Sequence, residues 1–123
     1  ANSEEYPVVF RLAEQYLIRA EARAELGKIS EAQSDLNVIR NRAGLGNTTA
    51  STKEALRDAI LDERQVELFT ERGHRWFDLK RRGEAADVLA PLKPSWLDTD
   101  VLFPIPESEL LLNPNLLPQN SGY

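Results

Sequence analysis

Apolar residues recur at helical spacing through the first two thirds of the chain. From about Val8 to Leu26, Leu12, Tyr16, Ala20 and Ala24 follow one another at i+4, with Ala13 and Leu17 widening the stripe. Ile18, Ala22 and Leu26 form a second i+4 ridge on another side. A helix that is apolar on two faces is sandwiched between neighbours. Gly27 stops it, and Ser30 with Gln33 predicts a Ser-x-x-Gln capping box for a second helix. That helix carries Ile29, Ala32, Leu36 and Ile39 and ends at Gly44. A third helix is predicted to follow Ser51-Thr52-Lys53-Glu54, a further capping box, and to run to about Arg72. Its second half, with Val66, Leu68 and Phe69, reads as buried on several sides. Gly73 breaks it, and His74 to Arg82 forms a short amphipathic turn or helix.

Beyond residue 90 the texture changes. Pro91, Pro94, Pro104, Pro106, Pro114 and Pro118 limit helices there to single turns, one of them predicted from Glu107 to about Leu111. Lys93 is the only basic residue after position 84, against Asp87, Asp98, Asp100, Glu107 and Glu109. Nine apolar residues between Val101 and Leu117 call for burial, so residues 91–123 are expected to wrap the helical body as an irregular strap. The predicted fold is all-α in one domain, with a helix pair over 8–44, a long helix plus a short one over 52–83, and the strap over 84–123. Ala20, Gly27, Ile29, Ala32, Leu36 and Ile39 match the small-residue pattern of a tetratricopeptide-type hairpin. Small side chains at Ala20 and Ala32 let two helices approach closely, and Gly27 supplies the turn.

Composition excludes several classes of function. The 123 residues contain no cysteine, which removes thiolate metal sites and cysteine nucleophiles, and a single histidine makes no His-rich cluster. A net charge of −5 opposes binding to a phosphate backbone. No apolar run approaches the roughly 18 residues of a membrane span. No methionine is present and Ala1-Asn2-Ser3-Glu4-Glu5 lacks a targeting pattern, which reads as a processed product or an excised segment. No cofactor is implied.

On a helical wheel Glu63 and Glu67 share one side with Leu56 and Ile60, so two carboxylates sit at i, i+4 on a partly buried face. They repel unless cations are near, and Arg64 and Arg75 are the expected partners. A glycosidase acid–base pair is the sharper reading, but neighbours on one helix do not face each other across a substrate, and a buried structural network is favoured. His74, beside a helix break, reads as a hydrogen-bonded structural group. Lys80-Arg81-Arg82 reads as cations complementing a helix C-terminus rather than an anion site. Trp76 is expected in the core. Trp96, in a proline-rich segment suited to stacking on a sugar, is expected to anchor the strap.

Four blocks then resemble one family. Arg11 to Ala22 resembles the R-L-A-E-x-Y-L-x-x-A-E-A stretch of SusD/RagB outer-membrane lipoproteins, and Leu36 to Gly44 is similar to that family's L-N-x-[IV]-R-x-R-A-G. Glu63 to Leu68 with Gly73 to Arg81 resembles its E-R-x-x-E-L and G-x-R-x-x-D-L-x-R block. The ending from Pro104-Ile105-Pro106 through Gln119-Asn120 to Gly122-Tyr123 resembles its C-terminal P-I-P…Q-N-x-G-Y. The resemblance implies a tetratricopeptide-like scaffold held by lipid at the external face of the outer membrane of Bacteroidetes-type bacteria. It implies capture of glycans or other nutrients without catalysis, and transfer to a SusC-like TonB-dependent transporter. Members are several times longer and this chain matches their C-terminal part, so no ligand-binding residue is carried over and the segment alone is expected to bind glycans weakly or not at all. The alternative is a free-standing tetratricopeptide-like adaptor.

Overall fold

A computed structural model describes residues 9–123. Among them there is no strand, and the chain is all-helical. Helices α1 (Leu12–Glu25), α2 (Ile29–Arg42) and α3 (Lys53–Glu67) form the first of two compact units, which ends at Arg75. The second, Trp76–Tyr123, holds most of α4 (His74–Arg82), then α5 (Ala85–Leu89) and α6 (Glu107–Leu112), with 3-10 turns at Asp98–Val101 and Pro114–Leu116.

In the first unit α1 contributes Ala13, Leu17, Ala20 and Ala24 to the core, α2 contributes Ala32, Leu36 and Ile39, and α3 contributes Leu56 and Ile60. Burying each of the leucines and the isoleucines stabilises the unit by about 1.5–3 kcal/mol. Ala20 and Ala32 are both fully buried, as a close helix crossing requires. At Gly27 φ is +72°, and a Cβ there would meet nothing within 4 Å, so backbone conformation and not space demands glycine. The turn closes with Lys28 N–H donating to the Arg23 carbonyl at 2.8 Å, a six-to-one bond that satisfies a helix-end acceptor.

Several boundaries differ from the sequence reading. The predicted start of the first helix, Val8, lies outside the described residues; Val9 and Phe10 are non-helical and exposed, and α1 begins at Leu12. Ser30 is inside α2 rather than capping it, and Gln33 instead donates to the Ala50 carbonyl at 2.6 Å, tying the α2–α3 loop to α2. The cap of α3 is Thr52, whose hydroxyl accepts from Ala55 N–H at 3.2 Å, one residue later than the predicted box. Helix α3 ends at Glu67, not near Arg72, because Thr70, Arg72 and Gly73 all take positive φ and turn the chain. Leu68 is buried there, while Val66 and Phe69 are exposed, which corrects the expectation of burial on several sides.

The second unit is held by side-chain amides as much as by apolar contact. Gln119 accepts from Ile105 N–H at 2.8 Å and donates to the Ile105 carbonyl at 2.9 Å, so one side chain satisfies both backbone groups of that residue. Asn120 donates to the Phe103 carbonyl and the Tyr123 hydroxyl to that of Leu102, each at 2.8 Å. Gly122 has φ +101°, and a Cβ there would lie 2.6 Å from Thr99 Oγ1, so glycine is required for conformation and for space. Helix α6 begins at the predicted Glu107, with Pro106 as its N-cap. Leu111, Leu112 and Leu117 are exposed, contrary to the expected burial of the strap's apolar residues.

Candidate functional site

The end of α3 gathers charge from every preceding element of the first unit. Glu63, nine-tenths buried, accepts from Arg40 Nη1 at 3.2 Å. Glu67 is bridged by Arg42 from α2 and by Arg11 from the residue before α1. Arg11 also donates to the Glu67 backbone carbonyl at 2.9 Å and reaches the Glu71 carboxylate. Glu14 on α1 stands 3.8 Å from His74 Nδ1. The expected part-buried carboxylate pair is supplied with cations from other helices. Arg11, Arg40 and Arg42 reach these carboxylates from the chain before α1 and from α2. Arg64 is buried in α3, and Arg75 leaves its Nη1 buried with no hydrogen-bond partner among the described residues.

A second charged cluster locks α1 to α2. Asp35 is buried and accepts from Arg19 Nε at 2.9 Å, from Arg19 Nη2 at 2.7 Å and from Arg23 Nη1. Burial pushes the Asp35 carboxyl up, but the hydrogen bonds and positive charge of Arg19 and Arg23 outweigh it and hold the group below the ordinary carboxylate range. The Arg19 guanidinium is raised in turn, first by its hydrogen bond to Asp35. Its carbon also lies 5.1 Å from the centre of the Tyr16 ring. Sequence reasoning missed this cluster, although a single acid between the core positions Ala32 and Leu36 was its available signal.

In the second unit Trp76, Lys93, Ser95, Trp96, Asp100 and Phe103 line a cleft of about 390 Å³. Trp76 meets Trp96 and Phe103 edge to face, with ring centres 6.4 and 6.3 Å apart. The three successive cations of α4 are each engaged. Lys80 lies 5.5 Å from the centre of the Trp76 ring, Arg81 donates to the buried Asp78 at 3.0 Å, and Arg82 donates to Glu84 at 2.9 Å. They do not form a vacant anion site. Among the described residues no group of three acidic or histidine side chains is arranged to hold a metal ion, and no helix is long and apolar enough to cross a membrane.

The charged residues that bind α1, α2 and α3 together coincide with the family-like blocks. Arg11 and Glu14 come from the first, Arg40 and Arg42 from the second, and Glu63, Glu67 and His74 from the third. Residues 1–94 match the SusD family. The chain belongs to that family. It is 38% identical to SusD-like protein P2 of Formosa agariphila, covering 94% of this chain and 26% of that protein. It is 36% identical to the starch-binding protein SusD of Bacteroides thetaiotaomicron, over 94% of this chain and 21% of that one. Among solved structures, a SusD superfamily protein from Bacteroides vulgatus superposes with a TM-score of 0.80 at 30% identity, covering 93% of this chain and 27% of its own. A SusD-like protein from Bacteroides fragilis gives 0.77 at 32% identity, over 94% and 26%. The chain thus spans about a quarter of the length of the SusD-family proteins it matches. In this SusD-family chain the paired motif residues fasten α3 to α2 and to the chain before α1.

Proposed function

We propose that the chain is the C-terminal helical part of a SusD-like lipoprotein on the external face of the outer membrane. The whole protein captures glycans or other nutrients and passes them, without chemistry, to a SusC-like TonB-dependent transporter. Membership of the SusD family carries the reading, and the name of one relative, a starch-binding protein, supports a glycan as cargo. Membrane attachment is through a lipid anchor outside these cysteine-free residues.

Within that protein the segment's own part is to brace the scaffold. Its charged fasteners join three helices, and apolar surface remains open: Ile18 on α1 and Leu26 after it, Val66 on α3 and Phe69 after it, and Leu111 and Leu112 in the second unit are all exposed. A freely soluble domain seldom leaves so much large apolar surface uncovered. The remaining three quarters of a SusD-length polypeptide is the natural cover. The test is to purify the intact gene product from cell envelopes, identify what co-purifies, and titrate it with a panel of soluble glycans by calorimetry. Saturable binding without turnover, together with recovery of a TonB-dependent transporter, is expected. Glycan cleavage, or the absence of both ligand and transporter, overturns the proposal.

A further inference from the structure

The aromatic cleft of the second unit has features that its packing leaves unexplained. The Trp96 ring lines it, yet the indole Nε1–H is buried and finds no hydrogen-bond partner among the described residues. A buried tryptophan ordinarily satisfies that donor, because leaving it unmade is costly. Asp100 spends one carboxylate oxygen on Leu97 N–H, at 3.0 Å, while its other oxygen has no partner among the described residues. Phe103 meets Trp76 with its ring inclined at 71° and remains 70% exposed, so an apolar ring surface stands open beside the donor and the acceptor. Lys93 and Ser95, both exposed, add polar groups at the rim.

We propose that this cleft is a subsite for one neutral pyranose ring of a glycan, an inference that rests on the nutrient-capture reading. A pyranose presents axial C–H groups on one face and hydroxyls around its edge, and each hydroxyl both donates and accepts. The C–H face lies on the open aromatic surface, one hydroxyl donates to Asp100, and a small rotation of the Trp96 ring turns its buried, unpartnered Nε1–H out to a second hydroxyl. A cleft of about 390 Å³ falls at the small end of the range for ligand sites, enough for one ring and its water. Lys93 and Asp100 offset each other among the lining residues, so the lining itself offers no net charge to favour an ionic sugar. The other charged cleft, lined by Arg11, Glu14, Glu71, Arg72 and His74, is a poorer candidate, because Arg11 and Glu71 pair with each other and no aromatic ring other than His74 lines it. Trp96, expected only to anchor the strap, becomes the first recognition residue. A single ring buries little surface, so binding is weak alone and gains its effect as one of several contacts along a polysaccharide.

The two tryptophans give two indole N–H resonances, and a nitrogen–proton correlation spectrum of the 123-residue chain resolves them. The probes are the methyl glycosides of glucose, galactose and mannose, with sorbitol as an open-chain polyol lacking a ring face. At least one glycoside should move the Trp96 indole resonance saturably while sorbitol does not. Trp96→Phe keeps a ring but removes the donor, and Asp100→Asn keeps an oxygen for Leu97 N–H but removes the charge. Each should weaken binding about tenfold, the effect of losing one good polar contact, followed for Trp96→Phe through the backbone amides of residues 93–103, with the amides outside the cleft confirming the fold. The inference is overturned if no glycoside moves the resonance, if sorbitol moves it equally, or if Asp100→Asn binds as tightly as the parent. Glycan binding by the intact protein, measured alongside, separates the two ideas: a silent cleft in a protein that still binds glycan removes the subsite and leaves nutrient capture standing.

Discussion

Asp35→Asn is the sharpest test of how α1 and α2 are held together. The substitution keeps the side chain's shape and removes its charge, turning one acceptor oxygen into a donor that faces guanidinium groups already rich in donors. Stripping one partner from a fully buried ion pair costs about 3–5 kcal/mol. That figure is too large here, because the Arg19 and Arg23 side chains keep 55% and 28% exposure and water takes over part of their solvation. Hydrogen bonds to a charged group contribute about 1.5–3 kcal/mol, and about 2 kcal/mol is the expected loss. For a unit of this size that lowers the melting temperature by roughly 8–16 °C. The amides of α1 and α2 are the probes to follow, since both tryptophans lie in the other unit. The sign of the pH dependence follows from the depressed carboxyl. As pH falls, the unfolded chain takes up this proton first, at the ordinary value near 3.8, so the contribution of Asp35 is complete at neutral pH. It fades only as pH drops below that value and through the lower folded pKa. The gap in melting temperature between parent and Asp35→Asn should therefore be constant at neutral pH and close in acid. A gap of under about 2 °C at neutral pH, or one that does not close, would refute the reasoning.

Three further outcomes are expected. Ala20→Leu forces extra volume into a fully buried contact and should cost about 1–3 kcal/mol, seen as a lower denaturation midpoint; an unchanged midpoint means that the helices do not cross closely there. Arg11→Ala removes the bridge from the chain before α1 to Glu67 and Glu71 while Arg42 still pairs with Glu67, so a loss of about 1–3 kcal/mol is expected, and exchange of the amides at the end of α3 should quicken. Gly122→Ala drives a Cβ into Thr99 at an unfavourable φ, which should loosen the Tyr123 hydroxyl bond to Leu102 and speed exchange across 101–105, leaving α1 to α3 unchanged.

The helices were legible because their apolar spacing is local. The α2 face of Ala32, Leu36 and Ile39, and Leu56 with Ile60 on α3, follow from period alone. On α1 the buried face is Ala13, Leu17, Ala20 and Ala24, whereas Leu12, Ile18 and Leu26, read as packed, are exposed. Their ends were harder. Ser30-x-x-Gln33 has the letters of a capping box, yet the chain leaves Gly27 tightly enough to place Ser30 inside the helix and to send Gln33 to the Ala50 carbonyl. The glutamates on α3 announced a need for cations, but arginines distant in sequence supply much of that charge. Arg11 is separated from Glu67 by 56 positions, and only the packing of three helices brings the two together. The cleft was legible only as two tryptophans, because its acceptor, Asp100, sits in a 3-10 turn that no periodicity marks.

Alanine recurs in the core that α1 and α2 share: Ala13, Ala20, Ala24 and Ala32 are all buried, beside Leu17, Leu36 and Ile39. Alanine has no rotamers, so at these four positions the core cannot adjust by turning a side chain as a leucine would. Any change of volume there has to be met by movement of the backbone itself.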